Sequence, residues 1–367
     1  MQERFDRWLL GRMFVERGPG DGFVYYYDNP TTGPTLLSPA VTAKVCLYLL
    51  DTGRPELARR CGEALLRCQV PQNGPKHLRG ALPSEVTLPA SALARGEAFY
   101  AGDNLLAATA LHRLFLATGD IRFASGAAGA CTFVVLSLMN GVSQGVWQED
   151  HGAPMLCIHD NGALVNSIHT KVELLWLKAL AEVAALIKSP KMEERFHKAV
   201  AFYRLAVTPS GAIMDHYEPG FPPTPYAVEN WKPYSDETLI GDNLLRAALG
   251  FVRLGELERA LPVLKFIQHR SGAVPGYLGL ATGRDRFLKE DRLYYDVVCT
   301  GMLRALARAA GDDELVAQCN RLLERLQDPE TGGWYWGVRA DDWMPVEPKL
   351  ATLTGLWAVH DFAQSAR

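Results

Sequence analysis

Apolar positions in this chain recur as pairs of helical stretches, one apolar on nearly all sides and the next amphipathic. The first pair opens at Ser38-Pro39, an N-cap followed by proline at the first helical position, and its leading helix runs over 39–50 to a stop at Thr52-Gly53. In the following stretch Leu57, Cys61, Ala64, Leu65 and Cys68 form one apolar stripe, opposite a wet face of Glu56, Arg59, Arg60, Glu63 and Arg67. Four more pairs follow. Residues 103–118 turn at Gly119-Asp120 into 121–139, and 161–188 turn at Ser189-Pro190 into 192–206. Residues 237–254 turn at Gly255 into 257–269, and 293–310 turn at Gly311-Asp312 into 314–326. The helix predicted over 349–364 has no successor and the one over 5–16 no predecessor. Their pairing completes six hairpins and closes a ring, which predicts an all-α fold in one domain over 1–367. Strands are expected only as short pairs in the loops, with Phe23-Val24-Tyr25-Tyr26 and Trp334-Tyr335-Trp336 the candidates.

One segment repeats. Ala101-Gly102-Asp103-Asn104-Leu105-Leu106 returns as Ile240-Gly241-Asp242-Asn243-Leu244-Leu245, each time opening an inner helix after a long aromatic-rich loop. The two starts are read as facing walls of one cavity. Asp103 and Asp242 are the candidate catalytic acid and base, since two carboxylates in different environments are the minimum for glycoside cleavage. The competing reading makes each aspartate an N-cap.

The turns from inner to outer helix are short, whereas the returns over 17–37, 69–102, 140–160, 207–236, 270–292 and 327–348 are long. In a ring all the returns emerge on the side of the inner-helix N-termini, where long loops on a rigid scaffold build a site. Five of the eight tryptophans lie in these returns: Trp147, Trp231, Trp334, Trp336 and Trp343. Flat amphipathic rings at a cavity mouth suit sugars, or else pack the loops onto the ring. Trp147, His169, Trp231, Tyr234, Trp336, Asn104 and Asn243 are the expected substrate contacts, and Glu149, after a tryptophan, is a reserve acid or base. His169 and Glu173, four apart, are expected on one helix face, where they would form an ion pair.

Six such hairpins resemble the (α/α)6 toroid of the six-hairpin glycosidase superfamily. The run Gly102-Asp103-Asn104-Leu105-Leu106 to Ala117-Thr118-Gly119-Asp120 resembles the Asp-Asn-apolar helix of unsaturated glucuronyl and rhamnogalacturonyl hydrolases. That resemblance implies a general acid at Asp103 and, through the repeat, a matching role for Asp242. Val172-Glu173-Leu174-Leu175-Trp176-Leu177-Lys178-Ala179-Leu180 resembles an inner helix of amylo-glucosidase-type toroids. Gln327-Asp328-Pro329-Glu330-Thr331-Gly332-Gly333-Trp334 resembles the Gln-Trp motif of terpene cyclases, but no aspartate cluster stands at an inner helix to support that chemistry.

The expected function is therefore that of a carbohydrate-active enzyme, a glycoside hydrolase acting on an oligosaccharide, uronate-bearing ones included. His151, His159, His169 and His216 keep open an alternative that the toroidal sugar epimerases imply, proton transfer by histidine or tyrosine with a carboxylate. A non-catalytic sugar-binding protein is the third reading. The 367 residues carry a net charge of -3, which gives no electrostatic case for nucleic acid or an anionic membrane. No apolar run is long enough to span a bilayer, and the N-terminus lacks the apolar core of a signal peptide. The seven cysteines are scattered and form no C-x-x-C pair, the pattern of reduced core thiols in a cytoplasmic protein. No cofactor is expected, and no zinc spacing or phosphate-binding glycine loop occurs.

Overall fold

A computed structural model describes residues 1–88, 93–136, 145–210, 212–220, 224–233, 240–271 and 294–363. Six inner elements form its centre: α2 (Pro39–Asp51), α4 (Ala101–Thr118), α6 (Val172–Trp176) continued by α7 (Lys178–Ile187), α9 (Ile240–Arg253), α11 (Val297–Ala310) and α13 (Thr352–Val359). α2 packs on α4, α4 on α6, α6 on α9, α9 on α11, α11 on α13, and α13 again on α2. The ring is closed. Outer partners α3 (Pro55–Cys68), α5 (Ile121–Val135), α8 (Pro190–Arg204), α10 (Leu257–Ser271) and α12 (Asp313–Leu326) pack against α2, α4, α7, α9 and α11 in turn.

Local chemistry sets these boundaries. Ser38 Oγ accepts from Val41 N at 3.4 Å ahead of Pro39, as the N-cap reading requires. The turn glycines Gly53, Gly119, Gly255 and Gly311 have φ of 74°, 71°, 80° and 75°, the left-handed conformation that ends a helix without a Cβ clash. α2 is buried along nearly its whole length, whereas α3 buries only Ala58, Cys61, Gly62, Ala64, Leu65 and Cys68. That contrast is the buried and half-wet alternation of the sequence.

Closure depends on the two chain ends. The N-terminal helix α1 (Gln2–Trp8) lays Phe5 so tightly on α13 that a Cβ on Gly355 would meet its ring at 2.2 Å. Tyr27 and Asp28 of the strand Tyr25–Asn29 pair antiparallel with Ala351 and Leu350. Gln327 Nε2 donates to the carbonyls of Met1 at 3.0 Å and Gly332 at 2.7 Å, and Trp334 Nε1 donates to that of Leu323 at 2.9 Å. The Gln-to-Trp segment is thus a tether between the ends of the ring.

Two expectations are corrected. The predicted helix over 161–188 begins only at Val172, because residues 157–169 carry the short strands Cys157–His159, Leu164–Val165 and Ile168–His169. The N-terminal helix over 5–16 is instead α1 and a π-helical turn at Leu9–Met13.

The C-terminal ends of α13 and α2 are tied down by side chains. Arg304 donates to the carbonyls of Ala358 at 2.6 Å and Trp357 at 3.0 Å, and Arg253 to that of Phe362 at 2.6 Å. Asp51 accepts from Arg113 at 2.6 Å and lies 3.1 Å from His360 Nε2. Cations at helix C-termini answer both the unmet carbonyls and the negative end of the helix dipole. Among the described residues no helix is long and apolar enough to cross a membrane.

Candidate active site

The N-terminal halves of the inner helices bring polar and charged groups together. Lys44 lies on α2, Asp103 in the first turn of α4, Glu173 in the first turn of α6 and Asp242 in the first turn of α9. Arg246 is one turn further along α9, and Asp296 caps α11 by accepting from Cys299 N at 2.7 Å. The fields of Asp103 and Asp242 both reach Lys44 and Tyr26, so the two repeated aspartates lie within electrostatic reach of the same two groups.

Asp103 is not a cap. α4 begins at Ala101, its N-cap is Tyr100, and no side chain caps it. The Asp103 carboxyl makes no hydrogen bond or ion pair among the described residues, and the residue keeps partial solvent contact. Burial raises it to about 6, against the opposing pull of Lys44 and Arg246. Asp242 is in a different position: Arg246 clamps it, Nε to Oδ1 at 2.8 Å and an η nitrogen to Oδ2 at 3.2 Å. Asp103 is thus disposed to hold a proton, whereas Asp242 is held by a cation.

Glycine makes this approach possible. A Cβ on Gly102 would stand 2.7 Å from Val172 Cγ1 and 3.1 Å from Glu173 N. Without one, the start of α4 closes onto the start of α6 and sets Asp103 beside Glu173. Glu173 is 2% exposed and its Oε2 has no partner. Burial raises it to about 7, as it does Asp296, which the charge of Asp242 raises further. Lys44 moves the other way, to about 7, through burial and the neighbouring Arg246.

The remaining expected site residues are dispersed. Asn104 is fully buried, and its amide nitrogen donates to the Leu82 and Tyr100 carbonyls at 3.1 and 2.8 Å while its oxygen accepts from Leu82 N at 2.7 Å. It pins a return loop to α4, with both amide hydrogens spent. Asn243 is buried at the start of α9. Trp147 is 1% exposed, with the Arg195 guanidinium over its ring at 5.2 Å. Glu149 is exposed, pairs with Arg195 of the outer helix α8 and accepts from Trp147 Nε1 at 3.3 Å. Trp231 packs into a buried cluster with Phe202 and Tyr217, at ring separations of 5.2 Å each. In this arrangement Trp147 and Trp231 serve packing, and Glu149 belongs to the outer layer. Trp336 remains half-buried, and its carbonyl accepts from Val297 N at 3.2 Å beside the start of α11. Tyr234 lies outside the described residues.

The His169–Glu173 ion pair does not form, because His169 belongs to a strand and not to the helix of Glu173. Its ring stacks on His216, centroids 5.1 Å apart and tilted 15°, and its Nε2 lies 3.0 Å from Ser167 Oγ. Burial and Lys171 push His169 down to about 3. His216 is raised by its 3.0 Å contact with Asp215.

Sequence reasoning passed over Lys44 and Asp296, and it singled out Glu173 only as a partner for histidine. Tyr26 figures in the sequence as part of a candidate strand; its hydroxyl shares the field of Asp103, Asp242 and Arg246. Lys44 and Asp296 had a usable signal: each is a charged residue amid apolar ones in a stretch read as an inner helix. Among the described residues no three His, Cys, Asp or Glu side chains are placed to hold a metal ion.

No protein-family model matches the sequence, and no curated protein matches it. Solved structures do. A novel alpha-amylase from Clostridium perfringens superposes with a TM-score of 0.69 at 14% identity, over 100% of this chain and 98% of that one. Cellobiose 2-epimerase from Spirochaeta thermophila gives 0.67 at 15% identity, over 99% and 96%. A family 76 glycoside hydrolase from a bovine Bacteroides thetaiotaomicron strain gives 0.60 at 12%, over 98% and 76%. With the ring closed and whole-chain superpositions of this kind, the fold is an (α/α)6 toroid.

Proposed function

We propose that this chain is a carbohydrate-active enzyme, a glycoside hydrolase that cleaves an oligosaccharide by carboxylate acid/base catalysis. The observation that carries the reading is the asymmetry of the repeated aspartates: Asp103 is unpaired and raised to about 6, whereas Asp242 is clamped by Arg246. Asp103 gives its proton to the glycosidic oxygen as that bond breaks. Asp242 acts at the anomeric carbon, directly or through a water molecule, as the oxocarbenium character develops. Solved neighbours described as an alpha-amylase and a glycoside hydrolase support the same reading by analogy of fold.

The stacked His169–His216 pair with Asp215 favours a second reading, sugar epimerisation by proton transfer. One experiment separates the two: a panel of neutral and uronate-containing oligosaccharides is incubated with the protein in heavy water. New reducing ends without carbon-bound deuterium support hydrolysis. Deuterium at C2 or C5 without new reducing ends supports epimerisation and overturns the first reading.

A further inference from the structure

Lys44 stands apart from the other cations of the ring centre. It sits on the inner helix α2 and is 5% exposed, yet its ammonium makes no hydrogen bond or ion pair among the described residues. A buried ammonium without a counter-ion is costly, and proteins rarely keep one without a use for it. Arg246, by contrast, spends its guanidinium on Asp242. The Lys44 amine lies 5.7 Å from the centroid of Trp357, a flat wall on α13. Arg246 on α9 and the carboxyls of Asp103 and Asp242 supply the charge around it.

Desolvation and a neighbouring cation are the two circumstances that turn a lysine into a nucleophile, and both apply here. Repulsion from Arg246 and the loss of hydration favour the neutral amine, and the group lies near 7. Asp103, unpaired and protonated in part near neutral pH, supplies an acid in the same space.

We propose that Lys44 is a nucleophilic amine of the site that condenses reversibly with the aldehyde of an open-chain sugar, with Asp103 as the acid. The Nζ lone pair attacks the carbonyl carbon and forms a carbinolamine. The carbinolamine oxygen takes a proton from Asp103 and leaves as water, and the C=N bond closes to an iminium ion. Water and a proton return by the reverse path, so no oxidant or reductant is consumed. This step goes beyond glycoside cleavage and does not depend on it, because condensation needs no glycosidic bond.

The test is reductive trapping. The full-length protein is treated at neutral pH with glycolaldehyde and sodium cyanoborohydride, and hydroxyethyl adducts are mapped by peptide mass spectrometry over time. Lys191, exposed on the outer helix α8, is the internal reference. Lys44 is expected to label at least tenfold faster than Lys191. Lys44→Arg abolishes the fast adduct and leaves Lys191 labelling unchanged, and Asp103→Asn slows Lys44 labelling alone. Labelling of Lys44 no faster than of Lys191, or a Lys44 rate indifferent to Asp103→Asn, overturns the proposal. Either result leaves the hydrolytic roles of Asp103 and Asp242 to be judged by turnover.

Discussion

Asp242 and Arg246, one turn apart on α9, form a two-point ion pair at 2.8 and 3.2 Å, and Asp103, at the same place in the repeated segment, has no such partner. Identical sequence therefore meets two environments. The residue four positions on decides it: Arg246 follows Asp242, but Ala107 follows Asp103. If Asp103 must be protonated to act, kcat/KM falls as pH rises through about 6. A pH–rate profile checks this limb. Activity that keeps rising from pH 6 to 8 would remove Asp103 as the acid.

The same environment shapes stability. An aspartate raised by burial disfavours its own ionisation in the folded state, so its cost is absent below pH about 4 and grows as pH rises toward 6. Asp103→Asn should leave the melting temperature unchanged at pH 4. At pH 7.5 it should raise stability by about 1–3 kcal/mol. A helix cap would behave differently, since asparagine caps about as well as aspartate and the substitution would leave stability nearly unchanged at both pH values. Thermal melts at the two pH values distinguish the cases.

Gly102 is the hinge of the site's geometry. Gly102→Ala drives a methyl group to 2.7 Å from Val172 Cγ1, which costs about 1–3 kcal/mol as overpacking. Because Asp103 is displaced from Glu173, turnover should fall at least tenfold. Adding Val172→Gly removes both Cγ1 at 2.7 Å and Cβ at 2.8 Å and should restore part of both losses, as chemical denaturation and assay of the double variant would reveal. Turnover and stability indifferent to the single change would mean that α4 and α6 tolerate separation.

The ring itself was legible in the sequence because burial writes itself as period: α2 and α3 show the all-apolar and half-apolar faces that their layers demand. Asp103 and Asp242 were legible because the words around them repeat. Other parts were not. The strands before Val172 are only two or three residues long, too short for period-2 alternation to separate them from helix, and so His169 was given a helical neighbour it lacks. Trp147 and Trp231 illustrate a further limit. A loop tryptophan can face the cavity or the scaffold, and only tertiary contacts such as Arg195 and Phe202 decide. Lys44 carried a signal as a lone charge in an apolar stretch, but only tertiary packing shows that its face of α2 lies beside Trp357.

His151 gives a pH-dependent prediction remote from the site. It is 8% exposed beside Tyr217 and Phe202, and neither ring nitrogen has a partner. Burial lowers its affinity for a proton. The unfolded chain therefore takes up the proton first as pH falls through about 6.5, and stability declines from there. His169, also lowered, acts with the same sign. His151→Phe should make the loss of melting temperature between pH 7 and 5 shallower than in the wild type. An unchanged slope would show that His151 is not the group being protonated.

The most direct measurement is turnover by Asp103→Asn and Asp242→Asn on an oligosaccharide that the wild type cleaves, set beside the matching 2,4-dinitrophenyl glycoside. The dinitrophenolate leaves without protonation. Asp103→Asn should therefore lose about a thousandfold or more on the oligosaccharide and much less on the aryl glycoside, whereas Asp242→Asn should lose both. Equal cleavage of the oligosaccharide by wild type and Asp103→Asn would contradict the assignment of the two aspartates.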